Sequence, residues 1–411
     1  DADVEVLGQA WLRYRAQCLA TAGEDEIPMD PTHYPTVASL AMAEYTANHM
    51  PENTIGYFPT HRTQATVSAI GYDWLNSLNI PGLLHEYPIK LQDGSVHMCD
   101  GFNPATNTAY EFDGSYWHGG CVLCATKTYG DTIASRRRHM TATRNDKIRD
   151  SGFNLVTMCE CSYTPSQAYT DSEPESKPFH VRDAFHGGRT EVFKLRQTLL
   201  EKDEIDDLLK KHKESGNKNF DFGGNNKWGY YIDVTSLYPT VNKYGFYPVG
   251  HPIIYRKSDI QWCYGNTLHN PCNVVGPDGT QSCLKGVIRC RVLAPRNLQI
   301  PVLPTEVTPE LKSIDEKTGK EKTSKGASKL IMALCGECAR TGNARSCDHT
   351  DEERSFVGAW THFELLKAES LGYQIVDILE VRHFDNWIQG PFKSYVNKFI
   401  KIKTENGVKN M

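Results

Sequence analysis

The sequence lacks several features that would assign a protein to a class at once. No apolar run is long enough to span a bilayer, so the sequence predicts no membrane-spanning helix. No signal peptide opens the sequence, and the first residue is Asp1 rather than Met, so we expect a segment of an intracellular protein, nuclear or cytoplasmic. Neither sign of charge dominates, because 45 Lys and Arg stand against 50 Asp and Glu. That balance neither indicates nor excludes nucleic-acid binding, since acidic metal sites and basic surfaces cancel in the sum.

Disulfide bonds are not expected either, although the sequence contains 13 cysteines. The cysteines include three close pairs, which are Cys121 with Cys124, Cys159 with Cys161, and Cys335 with Cys338. Without a secretory signal, such pairs indicate a reducing compartment and metal binding. The 411 residues are 39% hydrophobic and 23% charged, which is ordinary for a globular protein of several domains.

Hydrophobic periodicity predicts N-terminal helices followed by an α/β module. The helices are expected over residues 3–22, 36–49 and 66–78. The period then becomes that of strands, expected over residues 87–91, 96–102, 108–112 and 154–158. An Arg-rich helix over 135–150 precedes the last strand, and this order of elements predicts an α/β core.

The second half predicts a different, α+β organisation. A Ser-, Pro- and Glu-rich linker leads to a charged helix over 190–213. Residues 311–329 are dense in Lys, Glu, Gly and Ser and predict a mobile loop. A helix over 362–371 and a strand over 374–381 follow. We therefore expect a multidomain protein of α/β and α+β class.

Residues 233–239 read Asp-Val-Thr-Ser-Leu-Tyr-Pro, directly after an aromatic and β-branched run. The run predicts a buried strand over 230–234 with Asp233 near its end. A buried carboxylate needs a counter-charge, which the divalent metals of phosphoryl transfer would supply. A turn at Ser236 could direct backbone N–H groups at a phosphate. The alternative is an ordinary turn with a capping Asp.

This string resembles the first palm motif of family B DNA polymerases, in the protein-primed branch typical of viruses, linear plasmids and self-replicating transposons. The resemblance implies that Asp233 binds Mg²⁺ with help from the Val234 carbonyl. It also implies that Ser236 and Leu237 meet the incoming triphosphate and that Tyr238 excludes ribonucleotides. DNA, deoxynucleoside triphosphates and a terminal protein primer are the implied partners. Further likeness lies at residues 286–295, 303–304, 351–354, 359–361 and 372–373.

The likeness also implies how the chain is divided. Residues 1–7 resemble the third motif of a proofreading exonuclease, in which Asp3 would bind metal, and we assign residues 1–60 to its tail. We assign residues 227–411 to the start of the palm. The motifs Lys-x-x-x-Asn-x-x-Tyr-Gly and Asp-Thr-Asp are absent from the sequence. We therefore expect an internal segment that is inactive in synthesis, with a reading frame that continues into Asp-Thr-Asp.

A second group of candidate residues lies between residues 84 and 163. Asp100 falls within one predicted strand, and Glu111 and Asp113 share one face of the next. If these strands pair, the carboxylates converge and could hold Mg²⁺. His118 could then serve as base for a hydrolytic water, since its pKa lies near neutrality. The alternative is that each acid lies on a solvated face.

This stretch resembles the very-short-patch-repair endonucleases, which have the restriction-endonuclease fold, at Asp100, residues 114–118 and residues 159–161. The resemblance implies that Asp100 is the main Mg²⁺ ligand and that His118 is the general base. Glu86 is the candidate for the family's helix-borne acid. We assign residues 66–165 to this module and residues 166–226 to a linker and charged helix. Two cysteine pairs could form a zinc site, with the thiolates of Cys121, Cys124, Cys159 and Cys161 as ligands.

A third group supplies four nitrogen and sulfur ligands within a short stretch. The compact spacing of such residues suits structural Zn²⁺, and the alternative is a loop with reduced cysteines. The four residues are Cys335, Cys338, Cys347 and His349.

Basic clusters occur at residues 136–139, 210–213 and 393–403, and they could neutralise phosphates or form solvated faces. The leading hypothesis is an internal segment of a DNA polymerase from a mobile element or virus. The alternatives are a Mg²⁺-dependent endonuclease and a zinc-stabilised DNA-binding protein without catalysis.

Overall fold

The chain divides into two compact units. One comprises Asp1–His186 with Phe246–Gln389, and the other comprises Gly187–Gly245 with Gly390–Met411. The domain boundaries expected from the sequence stay predictions. The computed structural model describes residues 2–52, 54, 68–119, 131–166, 181–189, 202–216, 232–262, 267–268, 273–274, 284–308, 310–314, 321–343 and 346–409.

Three helices open the first unit, as the periodicity predicts. They are α1 (Ala2–Ala20), α2 (Val37–Asn48) and α3 (Ala69–Ser77). Thr36 caps α2 through a reciprocal capping box with Ser39, which satisfies backbone donors of the first turn. Helix α1 leaves apolar side chains such as Leu7 exposed, and none of the helices in the described ranges could cross a membrane.

A four-stranded mixed sheet follows, in the order β1-β2-β3-β4. The first three strands pair antiparallel, whereas β3 and β4 are parallel, with Asp113 opposite Cys159. The predicted order of strand, hairpin, helix and strand is confirmed. The elements are β1 (Leu84–Lys90), β2 (Val96–Asn103), β3 (Thr108–Asp113), α4 (Ser115–His118), α5 (Asp131–Asp150) and β4 (Asn154–Cys159).

Helices cover both faces of the mixed sheet. On one face, Trp74 of α3 packs with Tyr110 and Phe112 of β3. On the other face, Ile148 of α5 packs with Ala109 of β3. Alternate residues of a strand point to opposite faces, so these two cores lie on opposite sides of the sheet.

A four-stranded antiparallel sheet forms the rest of the first unit, in the order β14-β9-β15-β6. Its strands are β6 (Ile253–Arg256), β9 (Gly286–Leu293), β14 (Phe356–Thr361) and β15 (Gln374–His383). Helix α10 (His362–Ser370) buries Leu365 against the sheet, and the predicted helix and strand over 362–381 are confirmed. Gly286 has φ 139°, and a Cβ there would collide with the Arg382 carbonyl.

The loop expected over residues 311–329 is wrong for residues 311–314 and 321–325, which form strands, and residues 315–320 lie outside the described residues. Residues Glu310–Ile314 and Glu321–Lys325 pair as an antiparallel hairpin, and Lys329–Met332 pairs with Pro304–Val307. The remaining short elements of this unit are β5 (Phe246–Pro248), β7 (Ile260–Gln261), β8 (Asn273–Val274), β10 (Pro304–Val307), β11 (Glu310–Ile314), β12 (Glu321–Lys325), β13 (Lys329–Met332), α8 (Gly336–Thr341), α9 (Asp351–Arg354) and β16 (Trp387–Gln389).

The second unit contains three described helices, α6 (Lys202–Ser215), α7 (Leu237–Tyr244) and α11 (Lys393–Lys409). Helix α6 confirms the later part of the predicted charged helix, whose start lies outside the described residues. The strand expected over 230–234 is not formed at residues 232–234, which are exposed and pair with no described strand. A strand needs a hydrogen-bonding neighbour, and none of the strands in the described part of the chain offers one here.

Four buried charges join the mixed sheet to the antiparallel sheet within the first unit. Glu86 of β1 lies 2.7 Å from Arg382 of β15, and Arg382 lies 2.8 Å from Glu380. Arg256 of β6 also pairs with Glu380, and its guanidinium lies 3.7 Å from the centroid of the Tyr72 ring. Tyr72 donates a 2.6 Å hydrogen bond to Glu86. Two carboxylates and two guanidinium groups thus balance each other where the sheets meet.

The charges of this network depend on one another. Burial alone would raise the pKa of Glu86, but Arg382 and the Tyr72 hydroxyl outweigh it and hold that pKa below its usual value. Glu86 has φ 48°, and the pairing of β1 with β2 is interrupted there. Its side chain is therefore committed to the other sheet. This placement argues against Glu86 as the helix-borne acid of a nuclease site.

Replacing Arg382 with Met should lower the free energy of unfolding by about 3–5 kcal/mol, because a buried carboxylate is left without its counter-charge. Urea denaturation of the full chain would measure this. The double variant of Arg382→Met with Glu86→Gln should lose less than the sum of the single losses, since both changes remove the same contact.

Lys257→Met is the matched control. Lys257 pairs with Asp377 at the surface of the same sheet and is 65% exposed. Its loss should change the unfolding free energy by no more than about 0.5 kcal/mol. A similarly small effect of Arg382→Met would show that the buried charges do not hold the sheets together.

Candidate functional site

The motif at residues 233–239 lies at the surface of the second unit. Asp233 is exposed and precedes a turn in which the Leu237 N–H donates to the Val234 carbonyl at 3.2 Å. Ser236 has φ 56°, in the left-handed region, and α7 begins at the next residue. Tyr238 is 80% exposed in the first turn of α7. The expected turn is present, and the first N–H groups of α7 follow Asp233 closely in the sequence. The burial expected for this stretch is not observed.

The carboxylate cluster (Asp100, Glu111 and Asp113) lies on the paired strands β2 and β3, with Asp113 at the end of β3. Asp100 accepts a 2.7 Å hydrogen bond from the Phe112 N–H, which holds its carboxyl against β3. Arg144 of α5 lies 3.2 Å from Glu111 and 2.8 Å from Asp113. Glu111 and Asp113 share one face of β3, as the sequence predicts, and the guanidinium of Arg144 lies between them.

Two histidines complete the surroundings of the carboxylate cluster. His97 Nε2 lies 2.9 Å from Glu111 Oε1. His118 Nδ1 lies 3.3 Å from Asp113 Oδ1 and 3.0 Å from the Thr141 hydroxyl. Burial lowers the pKa of His118, which favours its neutral form. A neutral imidazole beside a carboxylate can accept a proton, so the geometry is compatible with the base expected at this position.

Burial, followed by the charge of Glu111, raises the pKa of Asp100 well above its usual value. Asp100 therefore favours its neutral, protonated form. Glu111 is buried, and its charge is matched by Arg144 rather than by solvent. In the folded protein, the guanidinium of Arg144 is therefore the counter-cation of the carboxylate cluster.

These residues as placed do not fit Mg²⁺. Mg²⁺ demands near-octahedral oxygen ligands, and here the guanidinium of Arg144 holds the oxygens of two of the three acids. Within the described ranges, the carboxylate cluster is not among the groups of three or more ligands that lie within 4.8 Å of one another. Asp3, exposed in α1, and Asp233 belong to no such group either. The Mg²⁺ roles of these residues stay predictions.

The first expected cysteine site is only partly described. Cys159 Sγ and Cys161 Sγ lie 3.1 Å apart at the end of β4. Between them, Glu160 accepts a 2.6 Å hydrogen bond from the Ser115 N–H and fixes the start of α4. Cys121 and Cys124 lie outside the described residues. Zinc binding by the four cysteines stays a prediction.

The second cysteine site is assembled as the sequence predicts. The Sγ atoms of Cys335, Cys338 and Cys347 lie 3.5, 3.3 and 3.5 Å from His349 Nδ1. All four ligand atoms lie within 4.8 Å of one another. A tetrahedral zinc with Zn–S near 2.3 Å and Zn–N near 2.0 Å requires S···N separations of about 3.5 Å. These residues could therefore hold a metal in a closed, structural geometry.

Neighbouring groups set the charge of these thiols. Hydrogen bonds from the backbone and ring of His349 lower the pKa of Cys347 to about 7. Burial and the adjacent thiols raise the pKa of Cys338 to about 12. Crowding three thiols without a cation thus opposes ionisation at one of them. A divalent ion would relieve that repulsion.

One buried and one exposed hydrogen bond fasten this Cys₃His group to the antiparallel sheet. Arg354, buried in α9, donates to the Ala294 carbonyl at 2.6 Å, directly after β9. Arg296 donates to the His349 carbonyl at 2.9 Å. The group therefore sits where α8 and α9 meet the end of β9.

Sequence reasoning did not identify the partners of the carboxylate cluster. The sequence places Arg144 in the predicted Arg-rich helix over 135–150 and His97 in the predicted strand over 96–102, without assigning either to the carboxylate cluster. Arg144 follows Asp113 by 31 positions, and only the packing of α5 on the mixed sheet brings the two together. The signal available was a long Arg-rich helix placed between two predicted strands.

A family model described as DNA polymerase type B, organellar and viral, matches residues 218–410. This match covers less than half of the chain, and it shows that residues 218–410 are similar to that family. The match contains residues 233–239, the antiparallel sheet and the Cys₃His group, whereas the mixed sheet precedes it. The family implies DNA and deoxynucleoside triphosphates as partners. No curated protein and no solved structure gives a significant match to the chain.

Proposed function

We propose that residues 218–410 serve template-directed DNA synthesis as the start of a polymerase palm. The family match carries this proposal, and the motif at residues 233–239 supports it. Asp233 would supply one carboxylate to Mg²⁺, which stabilises the attacking and leaving oxygens in phosphoryl transfer. Ser236 and Leu237 would face the triphosphate, and Tyr238 would stand against its sugar.

The proposal extends to the partners of the segment and to its location in the cell. The second palm carboxylate is not in this sequence, so the 411-residue chain should bind primer–template DNA without extending it. The site of action would be intracellular, where DNA and deoxynucleoside triphosphates are present. A viral or mobile-element source and a terminal protein primer remain parts of the proposal that rest on the resemblance.

Asp233→Ala should reduce primer extension by the full-length polymerase that contains this segment by at least about 1000-fold. The reason is that charge stabilisation by a bound metal contributes several kcal/mol to the transition state. Binding of primer–template DNA, measured by fluorescence anisotropy, should change little, because Asp233 carries no attraction for phosphate.

Asp203→Ala provides the comparison. Asp203 is an exposed acid in the first turn of α6 and lies outside the motif and the matched residues. Its replacement should leave extension within about twofold. Equal extension by both variants would remove Asp233 from the polymerase site.

We propose in addition that the Cys₃His group holds structural Zn²⁺. The separations of its ligand atoms carry this proposal, since they match a tetrahedral thiolate and imidazole site. All four ligand positions come from the protein, so the ion would have no open position for catalysis. It would fasten α8 and α9 to the end of β9.

Cys338→Ser should release one equivalent of zinc per chain, measured by elemental analysis of the purified protein. It should also lower the melting temperature by about 5–10 °C, because a structural ion contributes several kcal/mol to folding. Cys18→Ser, in α1 and away from the group, should retain the zinc content of the unaltered chain. Purified protein without zinc, or an unchanged zinc content in Cys338→Ser, would contradict the proposal.

A second candidate function concerns the mixed sheet, which we propose binds DNA. The favouring observation is an exposed aromatic pair beside arginines: Trp117 is 66% exposed, and Arg137 of α5 lies 4.4 Å from the centroid of the Tyr116 ring. Aromatic rings and guanidinium groups together suit nucleic-acid backbones and bases. Metal-dependent cleavage is not expected while Arg144 holds the carboxylate cluster.

The chain should therefore bind duplex DNA with an affinity that falls as salt concentration rises, and should not nick it in Mg²⁺ or Mn²⁺. Gel shift and plasmid nicking assays would measure both. Nicking that Asp100→Ala abolishes and Asp233→Ala preserves would instead establish the endonuclease alternative. Loss of DNA binding in both variants would indicate that they are misfolded, which a melting curve detects.

A further inference from the structure

One arginine satisfies two of the three acids where β3 ends. Arg144 Nη1 lies 3.2 Å from Glu111 Oε2, and Arg144 Nη2 lies 2.8 Å from Asp113 Oδ1. Arg144 Nε and Nη2 also donate to Asn145 Oδ1, at 3.0 and 2.8 Å. Each of the three guanidinium nitrogens thus lies within 3.2 Å of an oxygen atom of the protein.

Burial makes this contact different from an ordinary surface ion pair. The side chains of Glu111, Asp113 and Arg144 are 5%, 16% and 20% exposed. Charges held in so little solvent interact more strongly than exposed ones, and removing one partner leaves a charge without compensation. Arg149, on the same helix, forms a pair with Asp146 that is more than half exposed at both ends.

We propose that Arg144 is a counter-cation that occupies the place between Glu111 and Asp113 that a divalent cation would otherwise take. The oxygens that bind the guanidinium are the same oxygens a hard cation needs, so the two occupants exclude each other. The formal charge of the two acids is cancelled to a single negative charge while Arg144 is paired. This inference concerns the mixed sheet and does not rest on the polymerase proposal.

A purely structural role for Arg144, as a link between α5 and β3, makes a different prediction. A link would affect stability when removed, but it would not change the affinity for a metal. Counter-cation competition requires that removal of the guanidinium uncovers ligands. Metal binding in the absence of DNA and of any reaction therefore separates the two roles.

The experiment measures Mn²⁺ binding to the full chain by electron paramagnetic resonance, because free and bound Mn²⁺ give distinct signals. The Arg144→Gln variant should bind Mn²⁺ at the carboxylate cluster with an affinity about tenfold or more above that of the unaltered chain. The reason is that the substitution removes a cation from between two acids. Arg149→Gln removes one positive charge from the same helix and should leave Mn²⁺ binding unchanged.

Asp113→Asn in the Arg144→Gln background should abolish the gain, which assigns the new ion to this cluster. Any Mn²⁺ bound through Asp233 or the Cys₃His group is common to all variants and cancels in the comparison. If Arg144→Gln does not fold, as shown by its melting curve, Arg144→Lys carries the test, because Lys can reach only one of the acids at a time. Equal Mn²⁺ affinity in the unaltered chain and in the folded variant overturns the proposal.

Discussion

The pairing of buried charge is the constraint on which the first unit depends. Glu86, Glu380, Arg256 and Arg382 lie at the place where the mixed sheet meets the antiparallel sheet. None of these charges could be buried alone, because the desolvation of a single ion costs several kcal/mol. Glu86 of the mixed sheet finds its counter-charge in Arg382 of the antiparallel sheet, whereas Glu380 pairs with Arg256 and Arg382 within its own sheet. The two sheets pack as one compact unit although only the second lies within the polymerase match.

The same constraint decides the chemistry of the carboxylate cluster. Acids buried at the end of β3 must find a positive charge, and either a metal ion or a side chain can supply it. The long helix α5 packs on the sheet through Ile148 and brings Arg144 over those acids. Once the guanidinium is in place, the fold no longer requires a metal there. An arrangement that resembles a nuclease in its acids can therefore differ from one in its counter-charge.

Local patterns in the sequence predicted most elements of the mixed sheet and the Cys₃His group. Strands alternate with a period of two, and the four thiol and imidazole ligands lie close together along the chain, so both leave a short-range signal. The charged network could not be predicted in this way, because Glu86 and Arg382 are 296 positions apart. The loop prediction for residues 311–329 is wrong for a related reason. Their composition is that of a loop, and only cross-strand hydrogen bonds pair residues 310–314 with residues 321–325.

The motif at residues 233–239 shows the limit of local inference most clearly. The start of α7 follows from the residues themselves, since Pro239 fits the first turn of a helix. The positive φ of Ser236 does not, because that conformation is uncommon for a residue with a Cβ other than Asn, Asp or His. Burial of Asp233 would require a neighbouring strand, and residues 232–234 have none among the described strands. An exposed carboxylate has no need of a metal for its own stability. Its commitment to Mg²⁺ must come from a second acid brought beside it, which is why the family match rather than the burial of Asp233 supports the polymerase function.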